Sequence, residues 1–80
     1  MIESAIREVL DRHARLMEDA ARIDSAADLY ELGLTSHASV NVMLALEDSF
    51  DIEFPDELLR KSTFESVDSI RQALASMGAR

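Results

Sequence analysis

A glycine turn leads into an amphipathic helix in the segment Leu32-Gly33-Leu34-Thr35-Ser36-His37-Ala38-Ser39-Val40. Glycine adopts the backbone angles that a sharp turn requires, and Ser36 then stands in the first turn of the helix. A serine at that place usually caps the helix by accepting a backbone N–H. A helix start also attracts an anion such as a phosphodiester. Ser36 is therefore either a cap or an attachment point, and spacing alone does not choose between them.

The helix that begins at Ser36 is predicted to end at Asp48 or Phe50 and to have two different faces. The residues at intervals of three and four are expected to face inward; they are Ser39, Val42, Met43, Leu46 and Phe50. The outward residues are then His37, Val40, Asn41, Leu44, Glu47 and Asp48. Val40 and Leu44 form an apolar stripe with an acidic edge, which suits a groove on a basic partner protein. The alternative is that these two side chains only widen the buried face.

Other segments with helical periodicity lie on both sides of this helix. A first helix is predicted over most of residues 2–18, with Arg7 on its solvated face. Its inward stripe is expected to consist of Ile2, Ile6, Val9, Leu10, His13, Leu16 and Met17. Pro55 opens a short helix, and the last helix is expected to start at Ser62, in capping-box spacing with Glu65. We therefore predict an all-α fold of three main helices plus one short helix.

A long connection is predicted between the first two helices, from Asp19 to Leu34. Its apolar periodicity is weak, and connections of this length without regular structure are often functional. Ser25 and Asp28 are positioned to start a short helical turn within it, with Leu29 and Leu32 facing inward. The connection therefore has its own apolar anchors, and the whole chain, residues 1–80, is expected to form a single domain.

The charge pattern restricts the classes of partner. The chain has 80 residues and a formal net charge of −8, and no Lys or Arg occurs between Arg22 and Arg60. This acidity excludes nucleic acid and anionic membranes, which require clustered basic residues, and favours a basic protein that also meets Glu53 and Asp56. There is no cysteine for a disulfide or thiolate metal site. Without an apolar leader or spanning run, the chain is expected to be a cytoplasmic monomer.

Catalysis by the chain itself is not expected. A nucleophilic Ser36 would need a base within hydrogen-bond reach. His37 is adjacent in sequence, and neighbouring residues on a helix point about 100° apart. No two histidines stand one helical turn apart as metal ligands would. We therefore predict no catalytic and no metal site, and interpret Ser36 as the substrate of another enzyme.

The residues from 28 to 56 carry a family resemblance. The stretch Asp28-Leu29-Tyr30-Glu31-Leu32-Gly33-Leu34-Thr35-Ser36 and the segment from Val40 through Phe54-Pro55-Asp56 resemble the acyl carrier protein family. The resemblance implies a four-helix bundle that carries covalent 4′-phosphopantetheine on a serine at the start of its second helix, here Ser36. Thr35 stands where the family usually has Asp, and His37 where it usually has Leu. The segment around Ser36 also resembles small bacterial aminoacyl carrier proteins.

The resemblance implies a function in group transfer. A phosphopantetheinyl transferase would modify Ser36, and a ligase would then attach an acyl or amino acid group as a thioester for downstream acyl-transfer enzymes. The departure at Thr35 removes a carboxylate that helps the transferase in the family, which suggests a dedicated transferase. The alternative function is an unmodified helical adaptor, in which Ser36 only caps its helix and the acidic face binds a basic partner.

Overall fold

A computed structural model describes residues 2–78 and confirms the all-α prediction. Its helices are α1 (Ile2–His13), α2 (Ser36–Phe50) and α3 (Val67–Ser76), and two short 3₁₀ turns, Asp56–Leu58 and Lys61–Phe64, lie between α2 and α3. Within residues 2–78 there is no β-strand, and none of the helices there is long and apolar enough to cross a membrane. The predicted short helix after Pro55 is thus the 3₁₀ turn Asp56–Leu58.

Helix α1 ends five residues earlier than the predicted limit of residue 18. Arg15 adopts a left-handed backbone conformation with φ of 46°, which breaks the helical periodicity. Met17 consequently points away from the core and is 74% exposed, although its backbone N–H donates to the carbonyl of Leu32 over 2.8 Å. The prediction that His13 and Met17 belong to the inward stripe is wrong, since both are exposed.

The side chain of Arg7 holds the connection against α1. Its guanidinium Nη1 donates to the carbonyl oxygens of Ala20 and Ile23 over 2.9 and 2.8 Å, and it also pairs with Glu3 at 3.2 Å. Only 17% of the Arg7 side chain is exposed, so its predicted place on the solvated face is wrong. The reason is that the connection folds back over this face and its turn carbonyls need donors.

The second half of the connection is tied to the start of α3. The backbone N–H of Leu29 donates to the carbonyl of Glu65 over 2.7 Å, and that of Asp68 donates to Ser25 over 2.9 Å. The carboxylate of Asp28 accepts the Tyr30 backbone N–H over 2.9 Å. Leu29 is fully buried. The predicted inward anchor is confirmed, within turns and not a helix.

Helix α3 begins later than predicted. Ser66 is its N-cap, and the Ser66 hydroxyl accepts the backbone N–H of Ser69 over 3.0 Å. The capping box predicted from Ser62 and Glu65 is therefore wrong. Residues 61–64 instead form their own 3₁₀ turn, because this places Phe64 against Phe54 with their ring centroids 5.5 Å apart.

One apolar core joins the three α-helices and the connection. Its largest fully buried side chains are Ile6, Leu10, Leu29, Val42, Leu46, Val67, Ile70 and Leu74. Full burial of each such side chain contributes about 1.5–3 kcal/mol relative to leaving it in water. Every one of these residues except Leu29 lies on an α-helix, so packing of the helices fixes the position at which α2 begins.

Candidate functional site

Thr35, and not Ser36, caps the N-terminus of α2. The Thr35 hydroxyl oxygen accepts the backbone N–H of Ala38 over 3.0 Å, and its backbone is extended with φ of −93° and ψ of 163°. Ser36 is the first helical residue and is exposed. Among the hydrogen bonds between residues 2 and 78, none involves the Ser36 hydroxyl. The interpretation of Ser36 as a cap is therefore wrong, and its Oγ is open to reaction.

The turn before Thr35 is fixed from both sides. Gly33 has a φ of +110°, a backbone conformation that residues other than glycine rarely adopt. The Gly33 backbone N–H donates to the carbonyl of Tyr30 over 3.2 Å, and Leu34 donates to that of Leu29 over 3.0 Å. The Leu34 side chain is buried. These anchors hold the start of α2, and with it Ser36, at one place on the surface.

The outward face of α2 has the predicted composition. Val40 and Leu44 are 51% and 52% exposed, which confirms that they face solvent and rules out the interpretation that they widen the buried face. The other predicted contact residues that are exposed on or near this helix are His37, Asn41, Asp48, Glu53 and Asp56. An exposed apolar pair thus stands beside Ser36 with carboxylates farther along.

Glu47 differs from the other predicted contact residues because it is half-buried. Its carboxylate Oε2 accepts the backbone N–H of Phe54 over 2.8 Å. Helix α2 ends just before this contact, where Asp51 adopts a left-handed conformation with φ of 53° and Ile52 donates to the Glu47 carbonyl over 3.1 Å. Glu47 therefore anchors the segment after α2.

A cleft beside Ser36 was not predicted from the sequence. Its volume is about 270 Å³, and it is lined by Tyr30, Ser36, Ser39, Val40, Met43, Leu59, Arg60, Lys61 and Phe64. These residues come from three separate segments, so no single periodicity shows them together. One signal was available: Arg60 and Lys61 are the first basic residues after the long acidic interval.

Tyr30 and Lys61 contact each other at the rim of the cleft. The Lys61 Nζ lies 4.8 Å from the centroid of the Tyr30 ring, within the range of a cation–π contact. Partial burial raises the pKa of the Tyr30 phenol, a hydrogen bond with the Ser39 side chain opposes this rise, and the carboxylates of Asp28 and Glu65 add to it. The neighbouring Arg60 donates its Nε hydrogen to the Glu57 carbonyl over 2.8 Å.

The sequence matches a family model and is similar to known carrier proteins. The family described as "Phosphopantetheine attachment site" matches residues 2–74. The aminoacyl carrier protein of Agrobacterium fabrum is 42% identical over 73 residues, which are 91% of this chain and 88% of that protein. The match spans the helices, the connection and the residues around Ser36.

Two solved structures are similar in fold as well as in sequence. One is engineered Bradyrhizobium japonicum glycine:[carrier protein] ligase complexed with carrier protein from Agrobacterium tumefaciens and AMP; the match has 42% identity and a TM-score of 0.88, and covers 91% of this chain and 97% of that chain. The other is the Bradyrhizobium japonicum ligase complexed with glycylated carrier protein, at 30% identity and a TM-score of 0.74, covering 90% and 96%.

Proposed function

Because the chain belongs to the phosphopantetheine attachment family, we propose that its attachment serine is Ser36. Carriers of this family are not enzymes; they hold acyl or aminoacyl groups as thioesters on covalent 4′-phosphopantetheine. The observation that supports Ser36 is that a different residue, Thr35, caps the start of α2. Thr35 satisfies the helix terminus, which leaves the Ser36 hydroxyl exposed and without a hydrogen-bond partner in the described chain.

The residues around Ser36 fit the group that it would carry. An exposed hydroxyl stands at the edge of a cleft whose apolar lining includes Val40 and Met43 and whose rim has two cations, Arg60 and Lys61. Apolar atoms suit the carbon chain of pantetheine, and cations suit its phosphodiester. When attached, the group supplies the terminal thiol that forms the thioester. The chain itself supplies the hydroxyl and the surface on which partner enzymes dock.

We infer that the cargo is an amino acid and that the loading enzyme is an aminoacyl:carrier protein ligase. The inference is supported by the relatives, since carriers about 42% identical to this chain are aminoacyl carriers or occur with a glycine:[carrier protein] ligase. Glycine is accordingly the first amino acid to test. A phosphopantetheinyl transferase would act earlier, moving phosphopantetheine from coenzyme A to Ser36 Oγ, while the hydroxyl proton and adenosine 3′,5′-bisphosphate leave.

Docking of these enzymes is proposed on the outward face of α2. Val40 and Leu44 would enter an apolar groove, with His37 and Asn41 beside them. The carboxylates at the far end, those of Asp48, Glu53 and Asp56, would meet basic side chains of the partner. Glu47 would act on this face indirectly, by anchoring Phe54 and thus the segment that carries Glu53.

The attachment site is tested by intact mass after incubation with coenzyme A and a broad-specificity phosphopantetheinyl transferase. The parent protein should gain one phosphopantetheine, and Ser36→Ala should gain none while its circular dichroism is unchanged. Ser49→Ala is the matched control, because Ser49 is an exposed serine on the same helix and should load normally.

Two results would contradict the proposal. A phosphopantetheine increment on Ser36→Ala would move the site to another residue. A parent that stays unmodified with several transferases, yet binds a partner equally well with and without Ser36→Ala, would support the unmodified adaptor.

A further inference from the structure

The cleft beside Ser36 brings positive charge to an acidic part of the molecule. Arg60 and Lys61 follow an interval from Arg22 onward that contains no other Lys or Arg. Asp28 and Glu65 act electrostatically on Tyr30, which lines the same cleft. A phosphodiester formed on Ser36 would add negative charge to this surface. A cation that pairs with it would offset the repulsion from these carboxylates.

Of the two cations, Arg60 is anchored to the backbone, and Lys61 has no such anchor within residues 2–78. The Nε of Arg60 donates to the carbonyl of Glu57 over 2.8 Å, which fixes the orientation of its guanidinium without using the Nη hydrogens. In the part of the chain that the structure describes, Lys61 forms no salt bridge, and its ammonium lies over the ring of Tyr30. An ammonium has three N–H donors, and a cation–π contact at an exposed site is weak. Lys61 can thus exchange this contact for a stronger one.

We propose that Lys61 binds the phosphodiester of the phosphopantetheine on Ser36 and moves off the Tyr30 ring to do so. The proposal rests on the attachment at Ser36 proposed above. Both residues line one cleft of about 270 Å³, and the flexible four-carbon stem of lysine allows the ammonium to follow the phosphate oxygens. The first part of the pantetheine chain then lies in the cleft over Met43. The phosphate end of the phosphopantetheine is thus held at the protein surface, and its thiol end remains mobile.

The first measurement is ³¹P NMR relaxation of the loaded protein. Intact mass first confirms one phosphopantetheine per chain, so that a failure of attachment at Ser36 is detected separately. The phosphodiester signal of the parent should be broadened as expected for a group that tumbles with the protein. The Lys61→Gln variant should lose this broadening, and Lys61→Arg should retain it. Arg22→Gln is the matched control, since the Arg22 side chain is 86% exposed and lies outside the cleft.

The second measurement uses the lone tyrosine of the chain as a reporter. In the parent, loading should shift the Tyr30 ring proton resonances because the ammonium leaves the ring face. In the Lys61→Gln variant, the ring protons of Tyr30 should have closely similar resonances before and after loading. Equal ³¹P relaxation in the loaded parent and loaded Lys61→Gln, or a Tyr30 shift of the same size in both, would overturn the proposal.

Discussion

Thr35 and Ser36 have two different roles, helix capping and attachment, which one hydroxyl could not serve at the same time. A capping hydroxyl accepts a backbone N–H and stays close to the helix, whereas an attachment hydroxyl must face a partner enzyme. Thr35 takes the first role. Since Asp is also a favourable cap, the carboxylate that the acyl carrier family usually has here is not needed for the fold of this chain.

We expect Thr35→Ala to lower the free energy of unfolding by about 1 kcal/mol, the usual effect of losing a cap. Thr35→Asp should leave it nearly unchanged. Urea denaturation of the parent and both variants checks this. If Thr35→Ala is as stable as the parent, the hydrogen bond to Ala38 contributes nothing to the stability of α2.

Gly33 carries a second residue-scale prediction. With φ of +110°, any side chain is strained there, although a Cβ would have only ordinary contacts. Gly33→Ala should therefore lower the free energy of unfolding by more than about 1 kcal/mol, measured in the same denaturation series. Gly33→Asn is the informative comparison, since Asn tolerates positive φ better than Ala; equal losses for both would point to a cause other than strain.

Tyr30 should ionise above its ordinary pKa of 10.0, because burial and the nearby carboxylates disfavour the phenolate. Absorbance of the lone tyrosine between neutral and alkaline pH measures this directly. Since the folded state holds the phenol proton more tightly than the unfolded state, this contribution to stability is complete below pH 10 and is lost as pH rises through the raised pKa.

The carboxylate contribution to that shift has its own test. Asp28→Asn keeps an oxygen that can accept the Tyr30 backbone N–H, but removes the charge. The Tyr30 pKa should then fall part of the way toward 10.0, because burial is the larger cause. No change would mean that Asp28 is too well screened by solvent to affect the phenol.

At the scale of elements, the contact between Glu47 and Phe54 joins α2 to the cleft. Phe54 packs on Phe64, and Phe64 lines the cleft beside Ser36. Glu47→Ala should cost about 1 kcal/mol of folding free energy, because it leaves the Phe54 N–H without its acceptor. Asp48→Ala, at an exposed position on the same helix, should change it by less than about 0.5 kcal/mol. Equal losses would remove the structural role assigned to Glu47.

The elements also show how far the sequence predicts the fold. The limits of α2 follow from its periodicity together with the glycine turn, and the outward position of Val40 and Leu44 follows from the same pattern. The end of α1 does not, because the left-handed conformation of Arg15 has no signal in its residue type. The start of α3 differs from the prediction because Ser62 and Ser66 are both acceptable caps, and residue type alone does not choose between them.

At the scale of the whole molecule, the separation of exposed apolar and acidic groups makes a prediction about docking. Leu44→Ala should reduce the rate of ligase charging mainly through weaker binding, while the stability changes little because the side chain is half exposed. The matched variant is Met17→Ala, at an exposed apolar side chain that lies off this helix and outside the cleft. Steady-state kinetics with carrier concentration varied would show a raised KM for Leu44→Ala; an unchanged KM would place the docking surface elsewhere.

One part of the candidate site can be predicted from the sequence, and another part is formed only by the tertiary structure. Ser36 and the outward face of α2 lie on one continuous segment, so the sequence alone presents them together. The cleft does not, since Tyr30 comes from the connection and Lys61 from the 3₁₀ turn before α3. The role of Arg7 was missed for the same reason: its partners lie 13 and 16 residues away.

The contact of Arg7 with the carbonyls of Ala20 and Ile23 also affects the entropy that is lost when the connection between α1 and α2 is closed. A long loop loses more entropy on closure than a short one, and the loss grows with the logarithm of its length. By fixing the chain between α1 and α2 near its middle, Arg7 replaces one long loop by two shorter ones. The half that follows, which carries Tyr30 and Gly33, is nevertheless tied to the half that precedes by the hydrogen bond from the Met17 N–H to the Leu32 carbonyl, so extra residues inserted next to Met17, near Glu18, are expected to disturb the turn before Ser36.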